Sequence, residues 1–249
     1  MKKITLILAM ILVAFSTTFA QADAKGIAEK NAGNAAIRAK NYKEAFTKLE
    51  AYLKIVKFQD KAYLYNTAYC AYKSKDYNNA VKYYKMAIKE RYKLASSYKG
   101  VANSYKALKK NEEYIKTLEE GLKAVPDNVS LTKSYFVYYM KVGQSAQNAK
   151  NTSIAIKNYM KIAEMGNKEY KAQGLMSLAT LYFNNGAEVM QKVTPFANKD
   201  KAKYEEGKKS AKSDFVKAQT FCDQARDIEP ANKDIKTLSS QIATAMKNL

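Results

Sequence analysis

Adjacent acidic residues are the main candidates for acid-base chemistry in this chain. They form three pairs: Glu112/Glu113, Glu119/Glu120 and Glu205/Glu206. Two carboxylates can cleave a glycosidic bond when they face each other across the sugar. Neighbouring residues on a helix point about 100° apart, so these pairs cannot face each other across a substrate. We therefore interpret them as solvated surface, and we predict that the protein is not an enzyme.

Histidine is absent from the 249 residues, although it is the usual general base and a leading metal ligand. Histidine-based catalytic and metal sites are therefore excluded. The two cysteines, Cys70 and Cys222, are too few for a four-cysteine zinc site or a dense disulfide framework. We predict no metal and no cofactor. Both thiols are expected to be buried and free, with a disulfide as the alternative that an oxidising compartment would allow.

The composition favours long helices joined by few turns. Hydrophobic residues make up 47% of the chain, but there are only 9 glycines and 3 prolines. Ala, Lys, Leu and Tyr recur at spacings of three and four residues, which is the periodicity of amphipathic helices. Alternating stretches typical of strands are hard to find. The sequence therefore predicts an all-α protein.

The residue pattern of one helical pair occurs three times in succession, with a period of about 34 residues. Ala80 matches Tyr114 in the following copy and Ala45 in the preceding one. The copies cover residues 28–126. In the central copy, Ala68 and Ala80 are predicted to lie where two helices approach closely, because a larger side chain would push the helices apart.

The segment from Tyr65 to Ala80, with its small residues at fixed positions, resembles the tetratricopeptide repeat (TPR) family. The resemblance implies a right-handed superhelical α-α solenoid of about five helical hairpins with a C-terminal capping helix. It covers residues 28–126 clearly and residues 129–230 in divergent form. We expect a single domain over residues 21–249, with a capping helix over 234–249.

An insertion near residues 188–214 interrupts the divergent half. Pro195 should end one helix, and the lysine-rich stretch that follows has two interpretations. It either extends the next helix, from about Lys201 to Glu229, or forms a mobile basic arm. A polar, lysine-rich helix of this kind is more typical of a solvated face than of a binding element.

The resemblance also implies where a partner would bind. Successive first helices of such a solenoid line one continuous groove, and the family's groove positions fall on eleven residues of this chain. They are Lys30, Asn34, Arg38, Tyr65, Asn66, Tyr69, Tyr72, Lys73, Lys99, Asn103 and Lys106. Some family members hold a peptide carboxylate in a clamp, and Lys30, Asn34 and Asn66 occupy part of it. Ser96 and Gly100 stand where its remaining cations would be.

Most other tyrosines fit packing positions rather than a ligand site, because an aromatic stripe at helical spacing is usually core. The residues assigned to the core in this way are Tyr42, Tyr77, Tyr84, Tyr105 and Tyr182. Tyr65, Tyr69 and Tyr72 are the tyrosines that we predict to contact a partner.

The N-terminus is typical of an export signal. Lys2 and Lys3 precede an apolar run from Ile4 to Phe15, and small residues surround a cleavage point at Ala20-Gln21. The run is too short for a membrane span, which needs about 20 residues. We predict a signal peptide over residues 1–20, a periplasmic or secreted protein, and no transmembrane span in the mature chain.

The net charge of +20 restricts the class of partner. Export argues against specific binding of nucleic acid, although so basic a protein would bind it unspecifically. Cations mixed with tyrosines suit an acidic protein or peptide segment. We therefore predict a protein-binding adaptor or scaffold of the cell envelope. The alternative is a binder of anionic polysaccharide or lipid surfaces through distributed lysines.

Overall fold

The computed structural model describes residues 23–249. The predicted signal peptide, residues 1–20, and its cleavage site at Ala20-Gln21 lie outside the described residues. The helices are α1 (23–38), α2 (Tyr42–Ile55), α3 (Lys61–Lys73), α4 (Tyr77–Lys89), α5 (Leu94–Ala107), α6 (Asn111–Ala124), α7 (Val129–Asn148), α8 (Thr152–Ala163), α9 (Lys168–Val193), α10 (Lys201–Ile228) and α11 (Lys233–Lys247). No strand occurs between residues 23 and 249, so the all-α prediction is confirmed for that part of the chain.

Contacts between residues divide the chain into two compact units. The first ends at Thr132 and the second runs from Lys133 to Leu249, so that the boundary falls inside α7. In the first unit, α2 to α6 pack in chain order, each on the next, and α3 also contacts α5. In the second unit, α8 packs on α9, α9 on α10, and α10 on α11. Each unit is thus a series of helical hairpins. A single domain over residues 21–249 stays a prediction.

Short polar side chains fix where most helices begin. Each accepts a hydrogen bond from a backbone N–H of the first helical turn, which would otherwise have no partner. The capping residues are Asn41, Asp60, Asp76, Asn151, Asn167, Asp200 and Asn232. Lys93 and Lys110, which precede α5 and α6, make no such side-chain bond.

The turn inside each of four hairpins has the same backbone conformation. The middle one of its three residues has a left-handed φ between 57° and 66°, and in every copy that residue is a lysine: Lys40, Lys75, Lys109 and Lys150. In one copy Asp76 N–H donates to the Ala71 carbonyl at 2.8 Å and Lys75 N–H to the Tyr72 carbonyl at 3.1 Å. This pair of bonds closes the end of a helix in a Schellman motif. The period read from the sequence therefore corresponds to a repeated local structure.

Small residues allow the helices to approach closely. Ala68, Ala80 and Ala87 are fully buried, as the repeat pattern predicts. At Gly33 even a methyl group would meet the Leu49 side chain at 2.4 Å, so a larger residue would force the buried Leu49 to shift. The spacing of small residues thus sets the distance between paired helices.

The helices α9 and α10, with 26 and 28 residues, form the longest hairpin between residues 23 and 249. After Val193 a short 3-10 turn, Thr194–Phe196, ends α9. A Cβ on Gly207 would lie 2.3 Å from Val193, which shows how closely the far ends of the two helices pack. The residues near 188–214 are therefore the far half of a packed hairpin. Of the two interpretations left open by the sequence, the structure has the continuous helix from Lys201.

The last helix, α11, packs against α10 through a single apolar face. Ile235, Leu238 and Ile242 are buried, and Met246 is half-buried beside them. The predicted amphipathic capping helix over 234–249 corresponds to this element.

The two cysteines are buried and free, as predicted. Cys70 lies in the first unit and Cys222 in the second. Burial raises the pKa of Cys70 to about 12, so its thiol is protonated and unreactive at neutral pH. Along residues 23–249, no helix is both long enough and apolar enough to cross a membrane.

Candidate functional site

An open groove of about 430 Å³ lies between α1 and α3, which are the first helices of successive hairpins. We call it the α1/α3 groove. Its lining residues are Asn34, Ile37, Arg38, Tyr65, Asn66 and Tyr69. The structure thus brings five of the eleven sequence-predicted residues together in one concavity. Ile37 was not predicted, although its half-buried side chain supplies apolar surface in the wall of the groove.

The two groove tyrosines are held by contacts with neighbouring aromatic rings. Tyr65 meets Tyr84 edge to face, with ring centroids 5.5 Å apart, and Tyr69 meets Tyr42 in the same way at 5.8 Å. Both groove tyrosines remain half-exposed. Burial and a hydrogen bond with Tyr42 raise the pKa of Tyr69, so its hydroxyl is neutral and can both donate and accept. The groove therefore has a rigid aromatic wall, which can bind a partner at a small entropic cost.

Two of the predicted cationic and amide residues already have partners within the protein. The Lys30 ammonium lies 4.0 Å from an Asp60 carboxylate oxygen and 4.6 Å from the centre of the Tyr63 ring. Asn34 donates from its side-chain amide to the Tyr63 hydroxyl at 2.7 Å. These contacts fix both side chains, of which Asn34 lines the groove and Lys30 does not. Asn66, the third member of the partial carboxylate clamp, also lines the groove. Among the described residues, its side chain has no hydrogen bond of the kind that holds Asn34.

Tyr72 and Lys73 lie at the end of α3, beside the groove rather than in its lining. Tyr72 packs edge to face on Tyr77 at 5.7 Å. Lys73 is exposed, and its ammonium lies 5.6 Å from the Tyr42 ring centre and 5.8 Å from that of Tyr69. A cation held over aromatic faces keeps its charge available to an anion from solution. Lys73 therefore adds positive charge next to the aromatic wall.

The remaining predicted residues lie on α5, which contacts α3 but does not line the α1/α3 groove. Lys99 and Lys106 are exposed, whereas Asn103 is half-buried. The Lys106 ammonium lies 5.8 Å from the Tyr114 ring centre. The structure thus separates the predicted surface into a groove between α1 and α3 and a cationic strip along α5.

The second unit has a groove that the sequence analysis missed. About 440 Å³ in volume, it lies between α7 and α9 and is lined mainly by Gln144, Gln147, Asn148, Met176, Ser177 and Thr180. None of these side chains carries a charge, in contrast to Arg38 in the first unit. Continuing the period of 34 residues from Lys99, Asn103 and Lys106 leads to Lys133, Val137 and Met140, which are not in its lining. Divergence in α7 and α9 hid the correspondence.

Acidic residues do not converge on the α1/α3 groove, because its six lining residues include no carboxylate. The paired glutamates lie elsewhere, and Glu112, Glu113, Glu205 and Glu206 are exposed on helix surfaces. Within residues 23–249, no three Cys, Asp or Glu side chains are grouped so that they could hold a metal ion.

Comparison with solved structures finds proteins of similar fold. The crystal structure of a TPR repeats protein from Bacteroides fragilis matches with a TM-score of 0.86 and 40% identity, covering 88% of this chain and 98% of that chain. YrrB, a TPR protein with an unusual peptide-binding site, matches at 0.41 with 12% identity, covering 91% and 98%. The TPR2AB domain of yeast Sti1, in a complex with pHSP90, matches at 0.36 with 16% identity, covering 89% and 99%. No protein-family model and no curated protein matches the chain.

Proposed function

Because the chain belongs to the tetratricopeptide repeat family, we propose that it is a non-catalytic adaptor that holds a segment of a partner protein in the α1/α3 groove. The observation that carries this proposal is the groove itself. Tyr65 and Tyr69 present a fixed aromatic wall, and Arg38 and Asn66 supply polar groups at its surface. Aromatic anchors combined with a few polar groups are typical of protein-binding sites.

The charge distribution around the groove supports an acidic segment as the ligand. Arg38 is the charged residue in the lining, and Lys73 lies over the aromatic wall. Lys99 and Lys106 extend the positive charge along α5. A guanidinium can bind a carboxylate through two parallel hydrogen bonds, whereas the lysines attract it at longer range. An extended acidic chain could therefore contact Arg38 while its apolar side chains pack on Tyr65 and Tyr69.

The absence of carboxylates from the groove lining supports binding rather than catalysis. A groove of one arginine, two amides, two phenols and an isoleucine has no pair of acid and base groups of the kind that general acid-base catalysis requires. Its phenols have no basic partner in the lining that would make one of them a nucleophile.

Export places the proposed interaction in the periplasm or outside the cell. This part of the proposal depends on the basic, apolar and small-residue pattern of residues 1–20. Mass spectrometry of the protein isolated from its native host tests it. We expect an N-terminal peptide beginning at Gln21, and a mature protein that retains Met1 would contradict export by this signal.

Binding of defined peptides tests the adaptor function. Three fluorescent peptides of equal length and equal aromatic content should be compared, one acidic, one neutral and one basic. We expect the acidic peptide to bind best, and the variant Arg38→Ala/Tyr69→Ala to bind it at least about tenfold more weakly. Lys89→Ala is the matched control, because it removes one exposed cation from α4, away from the groove. Equal binding by the groove variant and the wild type would contradict the proposal.

A further inference from the structure

A smaller groove, of about 270 Å³, lies between α4 and α6, with α5 as its floor. We call it the α4/α6 groove. Tyr98, Val101 and Tyr105 form the floor, at spacings that place them on one side of α5. Lys99 and Lys106 lie on a different side of the same helix. The α4/α6 groove is therefore separate from the surface assigned to the proposed function.

The preceding repeat shows what would fill this space. Tyr83 of α4 lies at the corresponding place between α2 and α4, where it is fully buried. Its ring meets Phe46 of α2 edge to face at 6.0 Å. Its hydroxyl donates to a carboxylate oxygen of Glu50 at 2.7 Å. One phenol thus closes the gap between two second helices and is held there by a partly buried hydrogen bond.

One repeat later, both members of that pair are replaced. Thr117 stands in place of Tyr83, and Lys85 stands in place of Glu50. The Thr117 hydroxyl turns back to its own helix and donates to the Glu113 carbonyl at 2.6 Å, so it does not cross the gap. The Lys85 ammonium lies 5.4 Å from the centre of the Tyr105 ring. The groove is open because no ring occupies the position that Tyr83 fills in the copy before.

The lining favours a neutral phenol over a charged ligand. Lys85 and Lys116 on the walls are cations, whereas Glu113 and Glu120 are carboxylates. A charged group would be attracted by one set and repelled by the other. A phenol hydroxyl can accept from an ammonium and donate to a carboxylate. Its ring can pack on Ile88 and on the apolar part of the floor.

We propose that the α4/α6 groove binds the tyrosine side chain of a protein partner, as a second site independent of the α1/α3 groove. The bound ring takes the position that Tyr83 holds in the preceding repeat. The groove has a volume of about 270 Å³, which is smaller than that of pockets that bind drug-sized ligands. It therefore fits one aromatic side chain rather than a larger ligand.

Titration of the mature protein with N-acetyltyrosine amide, followed by amide NMR shifts, tests this site. We expect shifts at Tyr98, Val101 and Thr117, and only weaker ones with the phenylalanine analogue, which lacks the hydroxyl. The variant Thr117→Tyr supplies the missing ring from within and should weaken binding at least about tenfold. The control Thr117→Val keeps the groove open and should bind as the wild type does. Shifts that persist in T117Y, or equal binding of both analogues, would overturn the proposal.

If T117Y does not fold, a second variant provides the same test in a folded protein. In Thr117→Tyr/Lys85→Glu the new phenol has the carboxylate partner that Tyr83 has in Glu50. We expect this double variant to be folded and to lose binding of N-acetyltyrosine amide. A folded double variant that still binds the probe would also overturn the proposal. Since the α1/α3 groove is unchanged, binding of acidic peptides should persist, which separates failure of this site from failure of the adaptor function.

Discussion

The hydroxyl of Thr67 is the clearest unfavourable feature among the side chains of the first unit. It is fully buried, and its oxygen has no hydrogen-bond partner. A buried hydroxyl without a partner loses its bond to water on folding and gains nothing in exchange. The next repeat has Val101 at the matching position, also buried. We expect Thr67→Val to raise the free energy of unfolding by about 1 kcal/mol, as measured by urea denaturation.

Thr117→Val is the matched control for this substitution. Thr117 is also buried, but its hydroxyl donates to the Glu113 carbonyl. Removing a satisfied hydroxyl should leave stability unchanged or lower it slightly. If Thr67→Val were neutral or destabilising relative to Thr117→Val, the Thr67 hydroxyl would have a hydrogen-bond partner in solution.

Buried phenols and a buried thiol should make the protein sensitive to high pH. Burial raises the pKa of Cys70 to about 12, and burial with a hydrogen bond to Asp60 raises that of Tyr52 to about 12. Burial also raises the pKa of Tyr83 and Tyr84. In an unfolded chain, Cys and Tyr lose their protons near pH 8.5 and 10. Stability is therefore fully present below about pH 8.5 and is lost as the pH rises toward 12.

Urea midpoints measured from about pH 8 to about pH 11 check this alkaline loss of stability. The variant Tyr83→Phe removes one of the buried protons, so its midpoint should fall less steeply with pH than that of the wild type. Identical slopes would show that Tyr83 ionises in the folded protein as it does in the unfolded chain.

The long hairpin of α9 and α10 owes its packing to glycines where the helices touch. A Cβ on Gly207 would lie 2.3 Å from one Val193 methyl group and 2.9 Å from its Cβ. Valine cannot turn away easily, because its branched side chain is stiff at χ1. We expect Gly207→Ala to destabilise the protein by about 1 to 3 kcal/mol through overpacking, as measured by thermal unfolding.

Gly166→Ala is the control, since no atom lies within 4 Å of a Cβ at that position and its φ is not left-handed. This substitution should be neutral or slightly stabilising. A Gly207→Ala variant as stable as Gly166→Ala would mean that the far half of the hairpin is not packed as described.

The helices and their close approaches were predictable from the sequence where the residues that determine them lie within a single repeat. Small residues at the helix approaches recur at a fixed period, and the buried positions of Ala68 and Ala80 follow from it. Of the five tyrosines assigned to the core, only Tyr84 is buried, and the others are half-buried. Tyr83 was missed because its partner Glu50 belongs to the preceding repeat. An interaction between two repeats cannot be recognised from the residue pattern of either repeat alone.

The candidate site was predictable to a similar extent. Family positions located Arg38, Tyr65 and Tyr69, because first helices of successive hairpins lie side by side and share one surface. They did not indicate that Lys30 and Asn34 are engaged by Asp60 and Tyr63. Those partners come from the turn before α3 and from its first residues, whose direction depends on tertiary packing.

For the whole molecule, the response to salt separates the proposed groove from the alternative of a charge-driven surface binder. Binding to an anionic surface through scattered exposed lysines should vanish at about 1 M salt, where charges are screened beyond about 3 Å. An acidic peptide whose apolar side chains pack on Tyr65 and Tyr69 should keep measurable affinity at that salt concentration. Fluorescence titrations with the acidic peptide and with anionic lipid vesicles, at low and high salt, provide the comparison. Peptide binding that disappears together with vesicle binding would favour the alternative.

Photo-crosslinking in the native host tests the central claim most directly. A photoreactive phenylalanine analogue should replace Asn66 in the α1/α3 groove, and, as the control, Lys236 on the exposed surface of α11. We predict a covalent adduct with one partner protein from position 66, mapped by mass spectrometry to an acidic segment, and its loss in Arg38→Ala. Equal adducts from both positions, or an adduct from position 236 alone, would contradict binding in the α1/α3 groove.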